Sequence, residues 1–108
     1  MSNVTYDDFA KLDIRVAKVI QVEKIPGKSR IIKGKIDLET EQRDVIIGGA
    51  EFYQPDELLN RLVIVITNLE PRKIGGIESN AMLLAADLNG KPYWLTVNDS
   101  VPLGTKIK

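Results

Sequence analysis

Residues Ile32 to Leu38 set the terms for what this chain can fold into. Ile32, Gly34, Ile36 and Leu38 alternate with Lys33, Lys35 and Asp37. A period of two suits a strand with one face in a core and the other in water, whereas a helix would scatter those apolar residues around its circumference. Gly34 at an inward position marks a bulge or sharp coiling. Bends of that kind are what a sheet needs to close on itself. Other stretches read the same way. From Ile14 to Glu23, the residues Ile14, Val16, Ile20 and Val22 share one face, with Lys18 as the misfit that suggests a second bend. Arg43 to Ile47, Leu62 to Thr67, Ala81 to Ala86 and Tyr93 to Val97 supply further strands. Asn89-Gly90 is a hairpin signal, and Thr105 to Lys108 is a short tail strand beyond Pro102-Leu103-Gly104.

Helical signals are brief. Thr5 is a good N-cap with Asp7 and Asp8 in the first turn, and Val4 and Phe9 fall at the positions of a hydrophobic staple. A helix over 5–12 is too short to hold itself and must dock on something. Pro55-Asp56-Glu57-Leu58-Leu59 reads as one helical turn with Pro at N1. The expected architecture is all-β: an OB-fold, the five-stranded Greek-key barrel, with short helices and extra C-terminal strands, in one domain over 1–108.

Composition narrows the chemistry. The 108 residues include no cysteine and no histidine. There is then no disulfide framework or thiolate metal site, and the commonest general base and metal ligand are missing together. Ser29, Ser79 and Ser100 have no histidine to activate them, and the acids show no spacing that pairs carboxylates or builds a metal loop. Pro26-Gly27-Lys28-Ser29 imitates the tail of a phosphate-binding loop, but Val22 stands where its leading glycine belongs and a strand follows. The residues at the start resemble no signal peptide, and the longest apolar run, Leu62 to Ile66, is too short to cross a bilayer. A cytoplasmic, non-enzymatic binding module without cofactor or metal, and without a membrane partner, is the expectation. On that basis Asn3-Val4-Thr5 and Asn98-Asp99-Ser100 are chance matches to the glycosylation pattern.

Net charge is zero, yet the charges are segregated. Eight bases (Lys11, Arg15, Lys18, Lys24, Lys28, Arg30, Lys33 and Lys35) lie between residues 11 and 35 against Asp13 and Glu23. Residues 36–57 carry seven acids against Arg43 alone. A polyanion responds to a local patch rather than to the total, although two solvated strands could segregate charge in the same way. The loop from Asn68 to Ser79 is the other candidate. Arg72 and Lys73 suit phosphates, Asn68 and Ser79 suit sugar or base edges, Pro71 stiffens the loop, and Gly75-Gly76 permits positive φ or close backbone approach. The competing reading is an ordinary turn with solvated charges.

Several segments resemble the tRNA-binding domain family, found appended to methionyl- and tyrosyl-tRNA synthetases, in the endothelial monocyte-activating polypeptide II precursor and as free-standing small proteins. They are Leu12-Asp13-Ile14-Arg15-Val16, Asn68-Leu69-Glu70-Pro71-Arg72-Lys73, Gly76-Ile77-Glu78-Ser79, Met82-Leu83-Leu84-Ala85-Ala86 and Val101-Pro102-Leu103-Gly104-Thr105-Lys106-Ile107. The likeness runs from Phe9 to the end, and the length is similar to archaeal proteins called methionyl-tRNA synthetase beta subunits. The resemblance implies an OB-fold, tRNA binding by shape and a homodimer formed through the N-terminal segment and C-terminal strands. A methionyl-tRNA synthetase is the implied partner. The expected RNA-binding residues are Lys28, Arg30, Lys33, Arg72 and Lys73 for phosphates and Asn68 and Ser79 for sugar or base edges, with Met82 at a pocket floor or simply in the core. Two departures stand out. Ile25-Pro26-Gly27-Lys28-Ser29-Arg30-Ile31 replaces a common His-Pro-x-Ala-Asp-Lys-Leu stretch, and Glu70 stands where lysine is frequent, which weakens local phosphate attraction. Asn80 and Ala81, where many members have glycine, are a smaller change. A chaperone branch of the CsaA type, binding extended peptide, shares the fold and is the competing expectation.

Overall fold

A computed structural model describes residues 2–108. The strands are β1 (Ile14–Lys24), β2 (Ile31–Asp37), β3 (Gln42–Gly48), β4 (Leu62–Ile66), β5 (Arg72–Ile74), β6 (Ile77–Ser79), β7 (Met82–Leu83), β8 (Ala85–Leu88), β9 (Lys91–Trp94) and β10 (Lys106–Ile107). Helix α1 (Tyr6–Ala10) precedes them, and a single 3-10 turn (Pro55–Glu57) lies between β3 and β4. The main sheet runs β3-β2-β1-β4-β7, with β10 added beside β1, and all its pairings are antiparallel. That order, with the helical turn after β3, is a nearly closed five-stranded OB-like barrel. The pairs β5-β6 and β8-β9 form two separate hairpins.

Burial explains why β1 did not alternate cleanly. Ala17 and Val19 point into the barrel, where they meet Ile36, Val45, Ile47, Val63 and Val65. Ile14 and Val16 point outward, yet are buried as well. With Ile64 and Ile66 of β4 they form a second core, covered by Leu84, Val97, Val101, Leu103 and Ile107. A strand buried on both faces loses the two-residue pattern. Sequence reading grouped Val22 with Ile14 and Val16. The register shifts between Val19 and Gln21, and Val22 packs against the barrel core. That shift is the bend anticipated at Lys18, found two residues later. Gly34, opposite Val22, serves close packing, since a side-chain carbon there would stand 2.8 Å from Ile47 Cδ1.

The stretch Ala81 to Ala86 is two strands rather than one. Leu84 is the crossover: its N–H donates to Ile64 O at 2.8 Å, and its carbonyl accepts from Leu95 N–H at 3.1 Å. The chain thus leaves the barrel and enters the β8-β9 hairpin, turned by Asn89-Gly90 at positive φ.

Closure between β3 and β7 is made by side chains and one main-chain hydrogen bond. No ladder joins these strands. The Ile46 N–H donates to Ser79 Oγ at 3.0 Å, and the Ser79 hydroxyl donates onward to Ala81 O at 3.0 Å. Asn80 N–H reaches Asp44 O at 3.1 Å. The Arg43 guanidinium donates to the carbonyls of Thr67 and Asn80 and bonds the Glu41 carboxylate. Leaving the buried Ile46 N–H without an acceptor costs about 1–3 kcal/mol. Ser79→Ala is therefore expected to lower the urea midpoint by an amount in that range, at unchanged m-value, in equilibrium unfolding.

Candidate nucleic-acid interface

One face of the barrel is left open by the outer core. Alternation along β2 sends Ile31, Lys33 and Lys35 outward, opposite Gly48, Ile46 and Asp44 of β3. The β5-β6 hairpin lies along this face and covers Ile46, which is only 9% exposed. Between them is a cleft of about 70 Å³ walled by Ile46, Leu69, Ile74 and Met82, with Arg72 and Glu70 also lining it. Arg72 and Ile74 share one side of the hairpin. Lys73 projects to the other, opposite Glu78.

The hairpin tip reaches the loop between β1 and β2. Gly75 has φ +60°, and a side-chain carbon there would lie 3.0 Å from Lys28 Cε and 3.6 Å from Lys28 Nζ. Lys28 thereby stands beside the tip of the hairpin that carries Arg72 on one side and Lys73 on the other. None of the three has a carboxylate within 4.0 Å among the described residues. Lys33 and Arg30 differ: Lys33 Nζ lies 3.9 Å from Glu23 and Arg30 Nε 3.6 Å from Glu51. Lys35 has Asp44 at 4.0 Å. The basic run seen in the sequence is thus partly neutralised, by Glu23 within it and by Asp44 and Glu51 beyond it.

Asn68 and Ser79 have scaffold partners. Ser79 is buried and both donates and accepts within the barrel seam. Asn68 Oδ1 accepts from Asp13 N–H at 2.7 Å, and its amide donates to Lys11 O at 2.6 Å. This ties the segment after α1 to the start of the loop that carries Arg72. Met82 is 40% exposed and lines the hairpin cleft. Arg43, which sequence reading did not select, braces the hairpin base. Its signal was being the lone base in an acidic run.

Beneath that base lies a charge cluster. Asp13 accepts from Arg15 Nε at 3.0 Å and from the Thr67 hydroxyl at 2.6 Å. Arg15 also donates to Gly104 O at 2.9 Å. The hydrogen bonds from Arg15, then that from Thr67, hold the Asp13 carboxyl below its ordinary value of 3.8, against a smaller opposing effect of desolvation. No group of His, Cys, Asp or Glu able to hold a metal is found among the described residues. No described helix is long and apolar enough to cross a membrane.

Comparison with known proteins gives a consistent result. Residues 14–106 match the family model described as "Putative tRNA binding domain". The methionine--tRNA ligase of Methanocella arvoryzae is 50% identical over 106 residues, which are 97% of this chain and 15% of that protein. The chain spans only 14–16% of the length of such curated relatives. Among solved structures, a MetRS-related protein from Pyrococcus horikoshii superposes with a TM-score of 0.95 at 34% identity, covering all of both chains. The chaperone CsaA from Bacillus anthracis gives a TM-score of 0.87 at 26% identity, covering 99% of this chain and 100% of that one.

A carboxylate whose pKa is lowered by folding stabilises the fold fully above its unfolded value, and that contribution is lost as pH falls through the folded value. Asp13→Asn is expected to reduce unfolding free energy at neutral pH. The gap from the parent should shrink as pH drops below the ordinary carboxylate value, read from urea unfolding across pH.

Proposed function

The chain belongs to the tRNA-binding domain family, and from that premise we propose that it binds tRNA through shape and backbone, without catalysing a reaction. The observation that carries this reading is the closeness of Lys28 to the hairpin tip, where a side-chain carbon at Gly75 would lie 3.0 Å from Lys28 Cε, which brings the β1-β2 loop beside the hairpin bearing Arg72 and Lys73. Ammonium and guanidinium groups on neighbouring elements neutralise phosphates and release counterions. Lys28, Arg72 and Lys73 are the principal contacts. Arg30 and Lys33 contribute less because acids already stand beside them. Met82 and Ile74 offer an apolar patch for a base, and Asn68 and Ser79 act by holding the hairpin in place.

Zero net charge with Lys28, Arg72 and Lys73 as the principal phosphate contacts implies modest affinity and a shallow salt dependence, log K falling with log salt at a slope of roughly −2 to −3. Arg72→Ala combined with Lys73→Ala should reduce the magnitude of that slope by about two. Filter binding of bulk tRNA at several salt concentrations measures it. An unchanged slope sinks the assignment of these side chains.

A homodimer in the cytoplasm is part of the proposal. Helix α1 has no buried residue, with Tyr6 at 73% and Phe9 at 38% exposure. The β8-β9 hairpin exposes Leu88 and Tyr93, and Leu95 just beyond it is also exposed. A five-residue helix needs cover to persist, and a second copy supplies it. Sedimentation should give twice the mass of one chain. Phe9→Ser with Tyr93→Ser should give a folded monomer. An accessory role beside a methionyl-tRNA synthetase is supported by likeness to a segment of methionine--tRNA ligases.

The likeness to CsaA favours a second reading, binding of unfolded peptide on the exposed apolar surface. That reading requires peptide capture that tRNA does not compete away.

A further inference from the structure

Behind the Lys28 loop is a separate cleft of about 260 Å³, between the end of β1, the start of β2 and the segment that follows β3. We propose that it holds one unstacked nucleotide of the bound RNA, with the base against Tyr53 and the phosphate at Lys24 and Lys28. The inference rests on the tRNA-binding reading and extends it to a second subsite off the hairpin face.

Charge is the first observation. Lys24 and Lys28 line the cleft and no carboxylate does. Four other clefts on the described surface each carry Asp or Glu on their walls. Neither Lys24 nor Lys28 has an acidic partner within 4.0 Å among the described residues. A concavity with cations and without anions attracts a phosphate and disfavours a metal ion.

Shape is the second. Ile31, Ala50 and Pro55 give apolar walls, and Tyr53 a flat one. Tyr53 is fixed in orientation, since its hydroxyl donates to Pro92 O across to the β8-β9 hairpin. Its ring lies 5.4 Å from Lys91 Nζ and 6.4 Å from the Trp94 ring. A half-buried aromatic ring held at the wall of a basic cleft is a stacking platform, and stacking tolerates any base. Lys28 belongs to both surfaces, lining this cleft and lying beside Gly75 at the hairpin tip. Lys28 is therefore the cation shared between the hairpin tip and the cleft.

The test is a titration of bulk tRNA, and separately of a single-stranded tetranucleotide, followed by backbone amide NMR. Both should shift the amides of Ala50 and Tyr53. Tyr53→Leu should weaken tRNA binding by about fivefold or more. Tyr53→Phe keeps the ring and should retain affinity, which separates stacking from loss of the Pro92 hydrogen bond. Lys24→Gln, at an exposed side chain, should lower affinity several-fold without affecting stability. If tRNA binds but these amides stay still and Tyr53→Leu and Lys24→Gln bind as the parent does, the subsite is overturned and the wider reading survives. If tRNA does not bind while the tetranucleotide shifts Ala50 and Tyr53, the subsite stands and the wider reading falls. Silence with both ligands overturns the two together.

Discussion

Everything presented on the open face depends on how the barrel is shut between β3 and β7. Backbone ladders close the other seams, but here Ser79, Asn80 and Arg43 do the joining. Ser79 supplies an acceptor for a buried N–H that would otherwise face none. Arg43 gathers two carbonyls from the ends of the β4-β5 and β6-β7 connections. Both side chains sit where the β5-β6 hairpin leaves and rejoins the barrel. Shutting the seam and aiming the hairpin are therefore the same structural act. Polar side chains suit that task because their geometry fixes direction, whereas apolar packing would leave the hairpin free to slide.

The electrostatics follow from the same folding back. The sheet sets β2 between β1 and β3, and cross-strand neighbours partly cancel: Lys33 against Glu23, Lys35 against Asp44. Lys24 at the end of β1, Lys28 in the loop after it, and Arg72 and Lys73 on the hairpin have no carboxylate within 4.0 Å among the described residues. These cations stand at separate points on the strand end, the loop and the hairpin. A surface of that kind engages a folded polyanion at several separated points rather than along one continuous groove, which suits recognition by shape.

Much of the fold was legible because its evidence is local. Alternation at Ile32 to Leu38, the Thr5 cap and Asn89-Gly90 each declare themselves within a few residues, and each formed as expected. The second core was not legible. Ile14, Val16, Ile64 and Ile66 look like ordinary inward residues until the C-terminal segment wraps over them. Nor were the partners of Asn68 and Ser79, since those bonds span 55 and 33 residues of chain. A polar residue beside a basic loop looks the same in sequence whether it faces a ligand or its own scaffold. Arg43 is the instructive case. An isolated base among seven acids was visible, and its isolation pointed to a specific internal task.

The pairing of β10 with the first residues of β1 places Ile107 opposite Ile14, just after the segment that follows α1. Both terminal segments therefore emerge at one pole of the barrel. Lys28 lies beyond the other end of β1, an eleven-residue strand, some 35 Å away if fully extended. A longer polypeptide could carry this fold as a pendant from either terminus, leaving the distal pole unobstructed. The same scaffold is thus suited by its wiring alone to serve detached or tethered, with no redesign of the surface that meets its ligand.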